Sequence, residues 1–421
     1  MVPTRLKWLC SICIAIFLLS GVALAQDAVD LRIASYEAIW QTVNEQHYDS
    51  TFGGLDWTAI HDKYYDLVKH ANDETGFLEI ANRMLGELGL SHYSVFRAEP
   101  DGPSTGTVGL ETRLLDGKAV ITTIREGYPA AKAGLREGYI VEAIDDVPVE
   151  KILSNSKKKA LSHVNEWRRQ SDLDRAIRNR LRGAPGTSVS LTFLDEYDSL
   201  RRTTLLRKER PGKTILDKSL PPFFVEFQAK RIADNIGYIS FSTFLSPVDE
   251  RFEQAIDGML DMRGIVLDIR GNPGGMHEVG EAIAAKLLQK PTLFSVFKYR
   301  DRKEEVVVQP NGRTYAGPVV VLIDGQNASA SERFAACLQS IGRGVVIGER
   351  SRGAVGPSDG EVLPNGTTFQ YLTAQSLTPD GIVLEGRGVI PDIVIRPDRE
   401  ALLHGKDAAL DRAIKYIKTG Q

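Results

Sequence analysis

Ser329 stands in the run Asn327-Ala328-Ser329-Ala330-Ser331-Glu332, where an apolar stretch over 318–324 gives way to an amphipathic one. A hydroxyl at a strand-to-helix turn is well placed to act as a nucleophile. The free N–H groups and the dipole of a helix start favour the negative charge that builds on an attacked carbonyl oxygen. The Ala330 N–H, next to the serine, is one candidate donor. Gly274-Gly275, after the apolar run 264–270, is another, because glycine lets backbone approach a reacting group unobstructed. The same residues also fit a structural role. Ser329-x-x-Glu332 has the spacing of a capping box, in which the serine caps the helix and the glutamate reaches back. A serine nucleophile needs a base, and residues 330–354 contain neither Lys nor His.

The elements that would position these residues follow from periodicity. From 236 onward strand and helix alternate: a strand in IGYISFSTF, a helix over 248–262, and a continuously apolar strand over 264–270. The GNPGG turn comes next, then a helix over 277–289, a strand over 318–324, a helix over 329–341 and a strand over 344–348. This predicts an α/β layered core over 213–400 with a partly parallel sheet, entered through a connector at 213–231 and followed by a C-terminal helix over 401–421. Sites in such sheets lie where strand ends meet helix starts. Residues 26–100 read as a helical region closed by Gly89, after which Leu90–Phe96 alternates like a strand. Residues 105–210 are β-rich, with short runs such as KAVITTI and SVSLTF and a charged helical insertion over 150–182. The fold class is therefore α+β / α/β multidomain.

At 421 residues, 42% hydrophobic and 25% charged, the chain is globular and long enough for two or three domains. A formal charge of −3 without a basic patch argues against a nucleic-acid partner. Arg5 and Lys7, the apolar run 8–20 and Ala23-Leu24-Ala25 form a secretory signal peptide over 1–25. The expected localisation is exported, periplasmic or secreted, with membrane attachment only through an uncleaved signal. Cys10 and Cys13 leave with that segment. Cys337, in the apolar run FAACL, reads as a buried small hydrophobe. No HExxH, Cys/His cluster, GxGxxG after a strand or P-loop lysine is present, so neither metal nor cofactor is expected.

The order DIRGNPGG, NASASE, a helix ending in IGR, IGE with a Gly-rich loop, and LEGRGVIPDIVI (384–395) resembles the C-terminal processing and tricorn-core serine peptidase family. The run GYPAAKAGLREGYIVEAIDDVPV resembles a PDZ domain. TVGLET (107–112) then resembles its carboxylate-binding loop, which implies peptide-binding residues Val108, Gly109 and Leu110 and a peptide added as an extra strand. The processing branch uses a Ser–Lys dyad, with the lysine 25 residues after the serine in a T-F-G-K-G loop. Here that loop is Ser351-Arg352-Gly353-Ala354-Val355, and Ala354 holds the lysine position. Arg350 and Arg352 cannot replace it, since a guanidinium keeps its proton.

The tricorn branch takes its base from a Ser-His pair before the PDZ region, and this chain has Ser91-His92 there. It also has Glu385 in the closing motif. The resemblance thus implies a catalytic tetrad of Ser329, His92, Ser91 and Glu385, with Gly274, Gly275 and Ala330 as oxyanion hole. His277, just after GNPGG, is a rival base; the other histidines read as structural. The expected activity is an exported serine endopeptidase acting on peptides or unfolded proteins, with C-terminal segments held by the PDZ-like region. Two alternatives stay open: an inactive peptidase-fold adaptor that binds peptides, and an enzyme for esters or small amides.

Overall fold

The computed structural model describes residues 27–97, 105–159, 165–217 and 220–421. The expected signal peptide, with Cys10 and Cys13, lies outside the described residues, as does His163. The chain divides into two units. One takes the chain up to Ala98 together with Ser358–Thr373; the other takes Glu99–Pro357 and Ala374–Gln421.

Three helices, over 27–46, Trp57–Lys69 and Glu74–Gly86, build the first unit. Tyr36, Ile39 and Val43, then Ile60, Tyr64 and Val68, recur at helical spacing and meet Phe77, Ala81 and Met84 in one core. Asp56 and Asp73 cap the second and third helices, accepting from the N–H groups of Ala59 and Gly76. A three-stranded antiparallel sheet completes the unit: Ser94–Phe96 pairs with Thr368–Leu372, which pairs with Ser358–Val362. That hairpin was expected in the layered core; instead its Leu363 and Phe369 pack into the helical core. The strand expected over Leu90–Phe96 starts only at Ser94. Ser91 and His92 occupy a bend, with His92 at φ 59°, and a left-handed residue cannot continue a pleated strand.

In the second unit, an antiparallel sheet runs Leu110–Leu115, Lys118–Ile124, Ile140–Ile144, Ser188–Leu194, Leu200–Leu206, with Val147–Pro148 paired to Ile140–Ile144. The expected helical insertion is two helices, Val149–Lys159 and Glu166–Leu181. Leu173, Ile177 and Leu181 bury against the sheet, so the second helix is a layer of this region rather than an appendage. It also seals the sheet's edge locally. The Leu114 N–H donates to Asp174 Oδ1 at 2.7 Å, and Gln170 Nε2 donates to the Leu114 carbonyl at 3.2 Å.

The layered core has the strand order Phe227–Ile232, Ile236–Phe241, Gly264–Asp268, Val319–Ile323, Val345–Gly348, Ile393–Val394. The first pair is antiparallel and the rest are parallel. The segment 213–231 is therefore no connector: it holds the hairpin Lys213–Asp217/Leu220–Val225 and the start of the edge strand. Every residue of Gly264–Asp268 and Val319–Ile323 is buried, which demands a layer on both faces. Helices Val248–Asp257, His277–Ala285 and Ala330–Ser340 cover one face through Phe252, Ile283 and Phe334. Cys337 lies fully buried in that layer.

On the other face, Ala409, Ala413 and Ile417 of helix Ala408–Thr419 pack on Val266, Val320 and Ile347. The approach is tight enough that a Cβ on Gly264 would meet Ile417 Cγ2 at 2.3 Å. The expected C-terminal helix is broken in two, Arg399–Leu403 and Ala408–Thr419, at Gly405 with φ 68°. A side sheet of Thr292–Lys298, Lys303–Val308 and Gln375–Leu377 lies outside every sequence expectation. The parallel strands point their C-terminal ends at one edge, where the turns 269–276 and 324–329 stand.

Candidate active site

Ser329 precedes helix Ala330–Ser340 with φ 57° and ψ −126°. A non-glycine residue in that region stores on the order of 1–3 kcal/mol, and a sharp turn of this kind thrusts the side chain out of the chain path. Neighbouring side chains over-determine it. Asn327 Nδ2 donates to the Ile269 carbonyl at 2.6 Å, and Ser331 Oγ donates to the Asn272 carbonyl at 2.8 Å. Ser331 Oγ also accepts the Ala328 N–H at 3.1 Å. Two strand-end turns are thereby tied together. The capping-box reading fails: the Ser329 side chain makes no cap hydrogen bond, and Glu332 turns elsewhere.

Gly274 and Gly275 have φ 105° and 138°. A Cβ on Gly274 would stand 2.7 Å from Ser329 Cβ and 2.9 Å from the Ala330 nitrogen; one on Gly275 would stand 2.4 Å from the Phe244 oxygen. The turn thus needs glycine and abuts the serine. Its two N–H groups differ, however. That of Gly274 donates to Asn272 Oδ1 at 2.9 Å, which removes it from the expected donor set. Those of Gly275 and Ala330 meet no acceptor among the described residues.

The loop in place of the lysine is built around Glu332. Its Oε1 accepts the Gly353 N–H at 2.6 Å and the Ser351 hydroxyl, and its Oε2 accepts the Ala354 N–H at 2.9 Å. Burial pushes this carboxyl up to about 7, against three hydrogen bonds that favour its charge, and the nearby Glu385 adds to the rise. Ala354 is buried, and its carbonyl accepts the Ser329 N–H at 2.6 Å. Sequence reasoning gave Glu332 only a capping role; its burial, with that of the whole run Ala330–Leu338, shows only in the fold.

Glu385 is 5% exposed in its side chain; Oε2 accepts the Val355 N–H at 2.7 Å and Oε1 lies 3.6 Å from the Arg168 guanidinium. Arg352 pairs with Asp172 at 2.5 Å, and Arg350 lies over the Trp167 ring at 3.6 Å.

In the other unit, Ser91 Oγ lies 2.7 Å from His92 Nδ1. The next residue, Tyr93, places its hydroxyl 2.7 Å from Nδ1 of the buried His47 and donates to the Leu372 carbonyl at 3.3 Å. Burial holds the Tyr93 hydroxyl far above its ordinary range, so it stays protonated. His277 Nδ1 and Nε2 face Glu281 and Glu278 of its own helix at 3.2 and 3.4 Å. His70 and His404 bond to carbonyls of their own helices, and His61 lies between Glu37 and Asp62.

At the expected peptide-binding loop, Val108 and Leu110 are buried. The Gly109 N–H donates to Thr107 Oγ1 at 3.1 Å, and the Val108 and Gly109 carbonyls accept from Ala130 and Arg125 at 2.9 and 2.8 Å. Gly109, at φ 79°, is pressed against Tyr128, where a Cβ would come within 2.2 Å.

An α/β core with a strained serine between a strand end and a helix start is the architecture of a serine hydrolase. The model of peptidase family S41 matches residues 235–395, and that of the tricorn protease C1 domain matches residues 33–86. The chloroplastic C-terminal processing peptidase of Tetradesmus obliquus is 27% identical over 394 residues, which is 90% of this chain and 80% of that one. Among solved structures, a photosystem II D1 C-terminal processing protease aligns with TM-score 0.57 at 23% identity, covering 90% of this chain and 98% of its own. Mature CPAF aligns with TM-score 0.66 at 14% identity, covering 94% and 99%. Residues 235–395 thus match a peptidase family S41 domain, and the chain is a serine-type peptidase.

Proposed function

We propose that the protein is an exported endopeptidase, periplasmic or secreted, in which His92 rather than a lysine activates Ser329. One observation carries this reading. The position that would hold the dyad lysine is Ala354, buried, and bound through its own carbonyl to the Ser329 N–H. A proton acceptor must therefore come from outside that loop. Imidazole is the side chain whose ordinary pKa lies near neutrality, and the His92 ring has a hydroxyl partner on Nδ1. With Nδ1–H donating to Ser91 Oγ, Nε2 keeps the lone pair a base requires. Glu385, the fourth member of the tetrad, supplies the buried negative charge that stabilises an imidazolium.

Ser329 Oγ attacks the scissile carbonyl carbon as His92 takes the hydroxyl proton. The N–H groups of Gly275 and Ala330 hold the resulting oxyanion. Collapse breaks the C–N bond, and His92 gives its proton to the leaving amine. Water then attacks the acyl-Ser329 ester by the same route. The sheet region over 105–210 serves as a PDZ-like domain that binds extended or C-terminal peptide at the Leu110–Leu115 edge. Asp174 and Gln170 must release Leu114 for a full strand to add, which makes this edge a gate.

The deciding assay incubates residues 26–421 with an unfolded protein. Cleavage is expected from the wild type and is lost in Ser329→Ala and His92→Ala, by about 10³-fold or more. Ala354→Lys is expected to restore nothing in His92→Ala. Activity appearing only with Ala354→Lys would overturn the histidine base.

A further inference from the structure

Helix Glu166–Leu181 has two opposed faces. Leu173, Ile177 and Leu181 bury against the sheet. Arg168, Arg175 and Arg178 recur along the other face, and Arg182 continues the row just past the helix end. Arg352 and Arg210 bring further positive charge to it. Arg175 is repelled by Arg352, Arg178 and Arg168 and attracted by Asp172, and Arg182 is attracted by Glu111 and repelled by Arg210 and Arg178.

Acids pair with only part of this row: Glu385 lies 3.6 Å from Arg168. Asp172 is taken by Arg352 at 2.5 Å, Glu111 lies 3.9 Å from Arg178, and Glu226 lies 3.9 Å from Arg210. Arg175 and Arg182 make no ion pair among the described residues. Crowding by the surrounding protein and the neighbouring guanidinium groups disfavours the charge on Arg175 and Arg182. Guanidinium groups do not discharge in proteins, so the strain is relieved by an incoming anion rather than by proton loss. Arg175 remains exposed to solvent and can receive one.

The row's position says which anion. Arg178 donates to Gln326, three residues before Ser329. Arg182 precedes Gly183, which bridges to Gly106 beside the Val108–Leu110 loop. The row therefore spans the stretch between the loop proposed to take peptide and the nucleophile. A guanidinium fork matches a carboxylate in shape as well as charge.

We propose that the arginine row, centred on Arg175 and Arg182, selects substrates by binding the Asp and Glu side chains of an extended peptide. This rests on the peptidase reading above, but its test does not need turnover. Full-length Ser329→Ala is titrated with a fluorescein-labelled Glu-rich peptide and its Gln counterpart, each with a free or an amidated C-terminus. The Glu-rich peptide is expected to bind about 10-fold or more tightly, whether amidated or not, and less so as salt rises. Arg175→Gln/Arg182→Gln abolishes the difference, and Arg175→Lys/Arg182→Lys retains most of it.

Equal binding of the two peptides, a preference that follows the free C-terminus alone, or a preference that survives the double Gln change overturns the proposal. Wild-type cleavage of the Gln peptide is scored separately. Its absence counts against the peptidase reading and leaves the binding result standing.

Discussion

The loop over 351–354 and the turn at Ser91-His92 hold their backbones by opposite means. In the loop, one buried carboxylate, Glu332, gathers a hydroxyl and two N–H groups, and Ala354 passes that order to the Ser329 amide. In the turn, the titratable group is the one displayed. His92 sits at φ 59° between Ser91, which touches its Nδ1, and Tyr93, whose hydroxyl is anchored to His47. The first region is a platform that fixes the Ser329 backbone; the second presents a ring whose Nδ1 has a hydroxyl partner. The difference teaches that the loop keeps its order through the backbone of Ala354, with no charged side chain at that position. On the mechanism proposed above the base comes from the turn, and backbone strain is present in both regions, at Ser329 and at His92.

The largest effect on this contrast should come from the platform's glycine. Gly274→Ala would place a Cβ 2.7 Å from Ser329 Cβ and 2.9 Å from the Ala330 nitrogen. Displacing the serine or a donor by about 1 Å costs roughly 10²-fold in rate. We expect kcat/KM for an unfolded protein to fall by at least that much, with fluorophosphonate labelling of Ser329 slowed in parallel. Labelling at the wild-type rate would show that the turn is not part of the platform.

Next comes the organiser's proton. Glu332 rises from an ordinary 4.5 to about 7 because burial disfavours its charge. The folded protein then holds this proton where the unfolded chain has lost it. Its contribution to stability is full below pH 4.5 and is lost as pH climbs to about 7, a change of about 3 kcal/mol. Glu332→Gln, which cannot ionise, should remove that slope. Urea unfolding from pH 4.5 to 7.5 on both proteins gives the answer, and parallel curves would mean that Glu332 stays ionised in the fold.

The layered core was legible because its signals are local. Gly264–Asp268 and Val319–Ile323 are short, unbroken apolar runs, and amphipathic helices follow both, so strand, helix and parallel order could be read directly. The strand-to-helix turn at Ser329 was legible for the same reason. Long-range pairing was not. The hairpin Ser358–Val362/Thr368–Leu372 belongs with Ser94–Phe96, more than 250 residues earlier, and no periodicity carries that information.

Single-atom choices were equally hidden. Ser-x-x-Glu spacing fits a cap or a buried clamp, and only the fold at 351–354 selects the clamp. Likewise Asn272 decides that Gly275, not Gly274, keeps a free N–H. Polarity alternates truly along Leu90–Phe96, yet the left-handed His92 ends the strand there, a conformation that composition does not encode.

The smallest expected effect tests the turn. Ser91 Oγ lies 2.7 Å from His92 Nδ1, so Ser91→Ala removes a ring partner without touching the platform. A histidine base needs Nδ1 held in its protonated form, and a neutral hydrogen bond that does so is worth about 1 kcal/mol. The expected loss is therefore about 5-fold in kcat, with KM unchanged, because the ring acts in the transition state rather than in binding. Ser91→Thr keeps the hydroxyl and should recover most of the loss. A Ser91→Ala enzyme that loses KM instead, or that Thr fails to rescue, would make the serine a packing residue of the turn. The orientation of His92 would then rest on the backbone at φ 59° alone.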